Sequence, residues 1–347
     1  MANLWCDGFG RYGTDTSNML NGSSGSAWAE ISGWTLSSAN PRTGTYHLRS
    51  SLATGLARRV FGAQLTEVFF GYAMHLSRLP PVTRTLFLAK FRSQANTDQF
   101  TVWVDTDGSI FVEDASETKI FQTAPLIGAG AYQHIEMYLR VGNGDGAFEL
   151  RVDEVTRINL TSIDTDAGAG EVSQVVIGQG TNSVGIVDVA DCFANDTTDD
   201  GSGCHDFIGD CKSAVRMVNA DTAQADFALS AGVSGYELLD EVGPNDADYI
   251  DTSATTAESN FGLADAPANI TEILTVRPCV RAWKDDAGTA TIAPSMISNA
   301  VKHAADSQPI ATAPSYYDTN VPLNPDTGAP WTGAEFDAAL HVIERTA

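Results

Sequence analysis

The chain has 347 residues, of which 43% are hydrophobic and 18% are charged, a composition typical of soluble globular proteins. Lysine and arginine number 20 against 44 aspartate and glutamate residues, so the formal net charge is −24. Such a surface repels phosphate, which argues against DNA or RNA as a partner, and the sequence contains no apolar run of about 18 residues that would span a membrane.

The N-terminal sequence MANLWCDGFGRYG has no basic segment followed by an apolar one, as a secretory signal would have. We therefore expect the protein to be made and kept in a cytosol. At about 150 residues per domain, the length predicts two domains.

Short apolar runs separated by Gly, Asn, Asp, Ser or Pro dominate the first 196 residues, and their alternating polarity predicts β-strands. A dozen or so strands without an amphipathic helix predict antiparallel sheets packed face to face, in a jelly-roll sandwich. The predicted strands cover residues 27–36, 46–49, 56–60, 67–76, 85–92, 99–104, 110–113, 119–122, 157–160, 171–177 and 186–193, together with a hairpin within 132–155.

In that hairpin the side chains alternate on both sides of the glycine-rich loop 142–146, which permits the chain reversal. Ile135, Met137, Leu139 and Val141 fall on one face, and His134, Glu136, Tyr138 and Arg140 on the other. The second face is predicted to be solvated, with charge pairs such as Glu136 or Arg140 with Arg151 or Glu149 across the strands.

A polar, acidic, glycine-containing stretch then interrupts the pattern. We place a first domain at 1–196, a linker at 197–206 and a smaller β-rich domain at 207–347. Strands of that second domain, interpreted as a smaller β-sandwich, are predicted at residues 225–228, 249–251, 258–263, 270–284, 289–298 and 309–312.

The last element is predicted to be a short helix. Thr332 and Glu335 have the spacing of a capping box, and Trp331 precedes them as a hydrophobic anchor. Apolar residues follow at helical spacing, so we expect this helix to dock on a sheet or on a neighbouring subunit. The candidate docking residues are Trp331, Phe336, Leu340 and Ile343.

Five cysteines at scattered positions do not form a disulfide pattern. Buried thiols are the favoured interpretation, and a zinc site at Cys192, Cys204, His205 and Cys211 is the alternative, although its spacing is irregular. The stretch 105–108 predicts a turn rather than a calcium loop. We expect no cofactor; loop calcium is the alternative, with ligands among Asp164, Asp166, Asp188, Asp191 and Asp196.

Catalytic patterns were sought among the carboxylates and nucleophiles. Asp153 and Glu154 are adjacent, so on a strand they point to opposite faces and cannot share a substrate, and no Gly-x-Ser-x-Gly motif occurs. The six histidines lie in dispersed segments, and no glycine motif for phosphate binding is present. The sequence therefore predicts a protein that is not an enzyme, with a glycan hydrolase as a remaining hypothesis.

Several segments of the first domain resemble the concanavalin A-like (laminin G-like) jelly roll. They are DGFGRYG, NPRTGTYHLR, GYAMHLSRLP, YQHIEMYLRV, FELRVDEV and IVDVADCFAND. With CHDFIGDCKSAVRMVNAD, YELLDEVGPNDADYI, RAWKDDAGTATIAPSMIS and NPDTGAPWTGAEFDAAL, nearly the whole chain is similar to tailed-bacteriophage structural and tail-fibre-like proteins. The metal-binding pattern of legume lectins is not reproduced.

This resemblance implies a structural component of a virion, made and assembled in the host cytoplasm and exposed on the head, on a fibre or on the tail. We expect a homo-oligomer whose partners are other virion proteins, with neither nucleic acid nor membrane bound. The alternative hypothesis is a host-recognition module that binds surface glycans, with Trp28, Trp34 and Trp103 as candidate sugar contacts.

Overall fold

A computed structural model of the chain contains two large antiparallel sheets packed face to face, followed by a smaller β-rich unit. The mainly β fold and the predicted jelly-roll sandwich are thereby confirmed. The structure describes residues 3–12, 19, 28–39, 41, 42, 46–50, 54–180, 185–199, 201, 204–232, 234–241, 243–268 and 270–347.

The first large sheet has eight strands in the order β13-β12-β11-β6-β15-β4-β3, with β1 also paired to β15. Its strands are β1 (Asn3–Asp7), β3 (Trp34–Ser37), β4 (His47–Ser50), β6 (Glu67–Leu76), β11 (Tyr132–Arg140), β12 (Gly146–Val152), β13 (Val155–Ile163) and β15 (Val187–Asn195).

The second large sheet has seven strands in the order β10-β9-β8-β7-β14-β5-β2. Its strands are β2 (Glu30–Ser32), β5 (Gly55–Leu65), β7 (Leu86–Arg92), β8 (Asp98–Val104), β9 (Ser109–Asp114), β10 (Lys119–Pro125) and β14 (Val172–Gln179). A 3-10 turn covers Gly10–Tyr12.

The core of the sandwich lies between these sheets and is built by the alternation that the sequence shows. Met74 and Leu76 of β6 and Val187 and Val189 of β15 point into it. The side chains between them consequently point out of the other side of the eight-stranded sheet, which we call the outer face.

The C-terminal unit contains one six-stranded sheet, in the order β16-β19-β25-β21-β22 with β23 beside β21, and two two-stranded sheets. Tyr317 packs against Phe261, Ile292 and Ile343, so the sheet β20-β24 forms a second layer. The strands are β16 (Val218–Ala225), β17 (Ala228–Leu229), β18 (Ile250–Asp251), β19 (Ala257–Leu263), β20 (Cys279–Ala282), β21 (Thr291–Ser298), β22 (Val301–Lys302), β23 (Gln308–Pro309), β24 (Ser315–Asp318) and β25 (Leu340–Arg345), with a 3-10 turn at Tyr236–Leu238.

The predicted strand at 270–284 is wrong in its length. Only Cys279–Ala282 forms a strand, and the preceding part makes isolated bridges at Ile273 and Val276. Pro278 lacks the N–H that a continuous ladder needs, which accounts for the late start.

The short helix is confirmed at Gly333–Asp337, and so is its capping box: Glu335 N donates to Thr332 Oγ1 at 3.2 Å, and Thr332 N donates to Glu335 Oε2 at 2.9 Å. The helical spacing predicted up to Ile343 is wrong, because Leu340–Arg345 is the strand β25, paired on both sides with β19 and β21. The backbone hydrogen bonds that β25 makes to β19 and β21 stabilise the strand more than the local pattern favours a helix.

Buried charges join the sandwich to the C-terminal unit. Arg277 Nη2 donates to Asp318 Oδ1 at 2.6 Å, and its Nη1 donates to the backbone oxygen of Cys6 at 2.9 Å. Tyr316 of β24 also meets Tyr12 of the sandwich edge on, with ring centroids 5.5 Å apart. The domain boundaries 1–196, 197–206 and 207–347 stay a prediction, and residues 200, 202 and 203 of the linker lie outside the described residues.

Candidate functional site

A row of polar side chains crosses the outer face at right angles to the strands. Pairing places Tyr132 opposite His75, His75 opposite Asp188, Asp188 opposite Arg49 and Arg49 opposite Thr35. At about 4.8 Å per strand, these five positions span about 19 Å. We call this set the polar row.

Asp188 organises the polar row. Its side chain is 0% exposed, and one carboxylate oxygen accepts from Arg49 Nε at 2.6 Å and lies 3.1 Å from His47 Nε2. The other oxygen accepts from Arg49 Nη2 at 2.9 Å and lies 3.1 Å from His75 Nδ1. Because a carboxylate only accepts, both histidines donate to it, which fixes their tautomers and ring orientations.

Electrostatics keep this carboxylate ionised. Burial alone would raise the pKa of Asp188, but the hydrogen bonds from His47 and Arg49 and the charge of Arg49 hold it below its ordinary value. Burial, followed by the charge of Asp188, raises the pKa of Tyr132, so this phenol is protonated at neutral pH.

His75 can exchange protons with a ligand. Its Nδ1 is held by Asp188, so Nε2 is the nitrogen available to accept or deliver a proton, and its side chain is 14% exposed. The ring of Tyr132 lies 5.4 Å from the His75 ring and is half-buried. A carboxylate that orients an imidazole beside a phenol is an arrangement suited to acid–base chemistry as well as to hydrogen bonding with hydroxyl groups.

A second ion pair flanks the polar row. Arg42 Nη1 donates to Asp191 Oδ2 at 3.0 Å, and its Nη2 also contacts Asp210. Asp191 reaches the outer face because β15 has an irregular register here, and its own φ is +53°. Arg49 and Arg42 thus each have a carboxylate partner, so neither guanidinium is an unpaired positive charge on the outer face.

Residues 207–213, which we call the strap, lie over the part of the outer face next to the polar row. Glu136 Oε1 accepts from the backbone N–H groups of Ile208 and Gly209, both at 2.9 Å. Asp191 Oδ1 accepts from Ser213 N at 2.9 Å, and Arg151 lies 3.7 Å above the ring of Phe207. The strap therefore forms one wall beside the polar row.

The predicted solvated face of the hairpin is wrong for His134 and Glu136, which are buried, with the strap lying over Glu136, whereas Arg140 of the same face is exposed. Of the predicted charge pairs, Glu136 lies opposite Arg151 across the strands and interacts with its charge. Their hydrogen bonds go elsewhere: Glu136 binds the strap backbone, and Arg151 Nε donates to Glu149 of its own strand at 2.9 Å. Beneath the strap Phe193 packs so closely on Gly71 that a Cβ there would lie 2.4 Å from its ring.

The tryptophans suggested as sugar contacts lie elsewhere. Trp28 and Trp34 are buried in the sandwich core, and Trp28 Nε1 donates to Asp7 Oδ2 at 3.2 Å. Trp103 is half-buried on β8 of the other sheet, where Nε1 donates to Glu113 Oε2 at 2.8 Å.

The candidate docking residues lie mainly inside the C-terminal unit. Trp331 and Phe336 belong to one of its buried clusters and Ile343 to another, while Leu340 is half-buried. Their role in docking stays a prediction, and three of the four are already packed against the same chain.

Cys6, Cys192, Cys204, Cys211 and Cys279 are free thiols. Within the described ranges no three His, Cys, Asp or Glu side chains form a group that could hold a metal ion. Asp164, Asp166 and Asp196 accept backbone N–H groups of their own loops. No helix in the described part of the chain is long and apolar enough to cross a membrane.

The sequence analysis missed the convergence of His47, His75 and Arg49 on Asp188. His75 lies between Met74 and Leu76, and Asp188 between Val187 and Val189, so alternation alone assigns both to the outer face. The order of the strands in the sheet brings them together, and no local pattern encodes that order.

No family model matches the chain, and no curated protein matches it. Among solved structures it is similar to an endo-β-1,4-glucuronan lyase from the fungus Trichoderma reesei, with 14% identity, a TM-score of 0.40, and 50% of this chain and 93% of that one covered. It is also similar to the alginate lyase Aly36B, with 11% identity, a TM-score of 0.37, and 56% and 95% covered. A third match is the carbohydrate-binding module CBM66 from Bacillus subtilis, with 11% identity, a TM-score of 0.31, and 48% and 98% covered.

These similarities concern the fold. They support the jelly-roll part of the resemblance to phage proteins and no other part of it. The prediction that the chain is not an enzyme is wrong in excluding catalysis, because the solved structures to which the chain is similar include a glucuronan lyase and an alginate lyase. Paired carboxylates, nucleophile motifs and glycine motifs are patterns of nearby residues, and none of them detects a histidine held by a carboxylate from another strand.

Proposed function

We propose that the chain recognises a carbohydrate through the polar row on the outer face. One observation carries the proposal: Tyr132, His75 and Arg49 are held in a line about 14 Å long by a buried carboxylate and by the strand register. A sugar chain presents many hydroxyl groups at fixed spacing and is best bound by donors and acceptors that are already oriented.

The charge on this face supports a hydroxyl-rich ligand. Arg49 and Arg42 are paired with Asp188 and Asp191, so the face supplies directed hydrogen bonds rather than a large positive field. The half-buried Tyr132 adds an aromatic surface with a polar end.

Binding is tested with a panel of neutral and acidic polysaccharides by affinity electrophoresis, followed by calorimetry on oligosaccharides of the one retained. We expect Tyr132→Phe and His75→Gln to weaken binding about tenfold each, as the loss of one oriented hydrogen bond in a buried contact would. His303→Gln, a half-buried histidine outside the polar row, is the matched control. Equal affinities for the His75 and His303 variants would refute this site.

Cleavage of the bound carbohydrate is the second candidate function, favoured by the Asp188–His75–Tyr132 arrangement. His75 Nε2 would take or deliver the proton, Asp188 would stabilise the imidazolium, and Tyr132 would hydrogen-bond the reacting sugar. Incubation with the retained polysaccharide, with new reducing ends and the ultraviolet absorbance of a new carbon–carbon double bond both measured, separates hydrolysis from elimination. Binding without either product would leave recognition alone.

Placement on a virion, in the host cytoplasm during assembly, is proposed from the resemblance to tailed-bacteriophage proteins. A glycan-binding jelly roll displayed on a particle would serve host recognition, with other virion proteins as partners and the chain as a homo-oligomer. Mass spectrometry and antibody labelling of purified particles test this placement, and absence of the protein from particles would exclude it.

A further inference from the structure

A cleft of about 1410 Å³ lies where the sandwich, the strap and the C-terminal unit meet. It is larger than the cavities that usually hold a single small molecule. Several aromatic side chains line it, and two of them, Trp283 and Tyr249, form a pair beside β20.

Trp283 directly follows β20, and Tyr249 directly precedes β18. Their ring centroids are 5.9 Å apart at an interplanar angle of 68°, so the two rings form a corner. Tyr249 is 39% exposed and Trp283 is half-buried, whereas Trp5, Trp28, Trp34 and Trp331 are buried. Leaving aromatic surface accessible inside a cleft costs hydrophobic free energy, which a ligand would recover.

An ion pair supplies polar groups at the same place. Arg281 Nε and Nη2 donate to the two carboxylate oxygens of Asp246, both at 2.8 Å. Arg281 and Asp246 also line the cleft. Their two parallel hydrogen bonds fix the orientation of both side chains, and the pair as a whole carries no net charge.

The rim of the cleft near Trp283 carries more acidic than basic side chains. Asp251, Asp285 and Asp286 are exposed and line it, with the half-buried Lys284 beside them. A ligand carrying carboxylate or sulfate groups would be repelled, while an uncharged ligand would not.

We propose that this cleft holds a second carbohydrate site, in which Trp283 and Tyr249 contact the ring of an uncharged sugar and the Arg281–Asp246 pair binds its hydroxyl groups. The apolar face of a pyranose ring packs on an aromatic ring, and its hydroxyl groups at the edge meet the ion pair. The site is independent of the polar row, because it is built from different elements of the chain.

The experiment follows tryptophan emission during titration with hexasaccharides of glucose, mannose, xylose and galactose, and with a glucuronic acid hexasaccharide. The protein used is the full chain carrying Tyr132→Phe and His75→Gln, which disables the polar row. We expect one neutral hexasaccharide to bind and to shift the emission, and the acidic one to bind at least tenfold more weakly.

In that background, Trp283→Ala should abolish the shift, and Tyr249→Ala should weaken binding, measured by calorimetry, about tenfold. Tyr249 is exposed, so its replacement keeps the test valid if Trp283→Ala fails to fold. Phe121→Ala, which removes an exposed aromatic side chain on the other sheet, should leave the affinity unchanged.

No emission change or heat with any neutral hexasaccharide would overturn the proposal. So would unchanged affinity in the Tyr249 variant, or tighter binding of the acidic hexasaccharide or of an oligolysine peptide. None of these results bears on the polar row, which is tested with wild-type protein.

Discussion

Replacing Asp188 by Asn should destabilise the sandwich strongly, although the two side chains have the same shape. The carboxylate accepts two hydrogen bonds from Arg49 and one each from His47 and His75, and it is 0% exposed. Removing one partner of a buried ion pair costs about 3–5 kcal/mol, and the 19% exposure of Arg49 places this case near 3 kcal/mol. In a folding unit of about 150–250 residues, the range that includes the sandwich, a loss of about 3 kcal/mol lowers the Tm by about 6–12 °C.

The effect should depend on pH in a defined direction. The folded pKa of Asp188 is depressed, so its contribution is present above the unfolded pKa of about 3.9 and is lost as the pH falls through the folded pKa. Urea unfolding of wild type and Asp188→Asn should therefore differ most at pH 6–7, with the difference shrinking below about pH 4.

Asp285→Asn, which removes an exposed carboxylate, is the matched control and should change the free energy of unfolding by less than about 0.5 kcal/mol. If Asp188→Asn unfolds with the same midpoint as wild type at pH 7, the carboxylate does not organise the polar row. A difference that stays constant from pH 7 to pH 3 would show that lost packing, rather than lost charge, is responsible.

Three further predictions concern other parts of the molecule. Burial lowers the pKa of both His134 and His341 to about 4. As the pH falls from 6.5 to 4, the unfolded chain therefore binds more protons than the folded one, and the free energy of unfolding falls. Replacing either histidine by Gln should recover about 2–3 kcal/mol of that free energy at pH 4 and little at pH 7, as measured by urea unfolding at the two pH values. Phe207→Ala together with Glu136→Ala should release the strap, because the second change removes the acceptor of both strap N–H groups. Release would be seen as faster amide exchange at residues 208 and 209 and faster proteolysis there, and unchanged exchange would contradict the contacts that hold the strap. Thr332→Ala should cost about 1 kcal/mol of unfolding free energy while Thr332→Ser costs little, because only the hydroxyl caps the helix Gly333–Asp337.

The alternation of polarity was sufficient to predict most strands of the sandwich. The hairpin of β11 and β12, for example, follows directly from the two-residue period and the glycine loop, and its pairing of Ile135 with Val152 keeps the predicted faces. Alternation says which residues share a face, but not what covers that face. Glu136 is buried because the strap, more than 70 positions later in the chain, returns to lie over it.

Residues 332–345 show the same difference between what a local pattern predicts and what long-range pairing decides. The capping box at Thr332 and Glu335 is a local pattern, so it was predicted correctly. Leu340–Arg345 has helical spacing as well, but pairing with β19 and β21 from other parts of the chain makes it a central strand.

The order of residues alone determined the class of fold, the positions of most strands and the side of the sheet on which each side chain lies, because these depend on neighbours within a few positions. The order of strands decided which of those side chains meet. Asp188 is separated by more than a hundred positions from its partners His75 and Arg49, and they become neighbours only when β15 pairs with β6 on one side and β4 on the other. Long-range pairing is a property of the whole sheet, set by the burial of its core face, and so the candidate site follows from the tertiary structure.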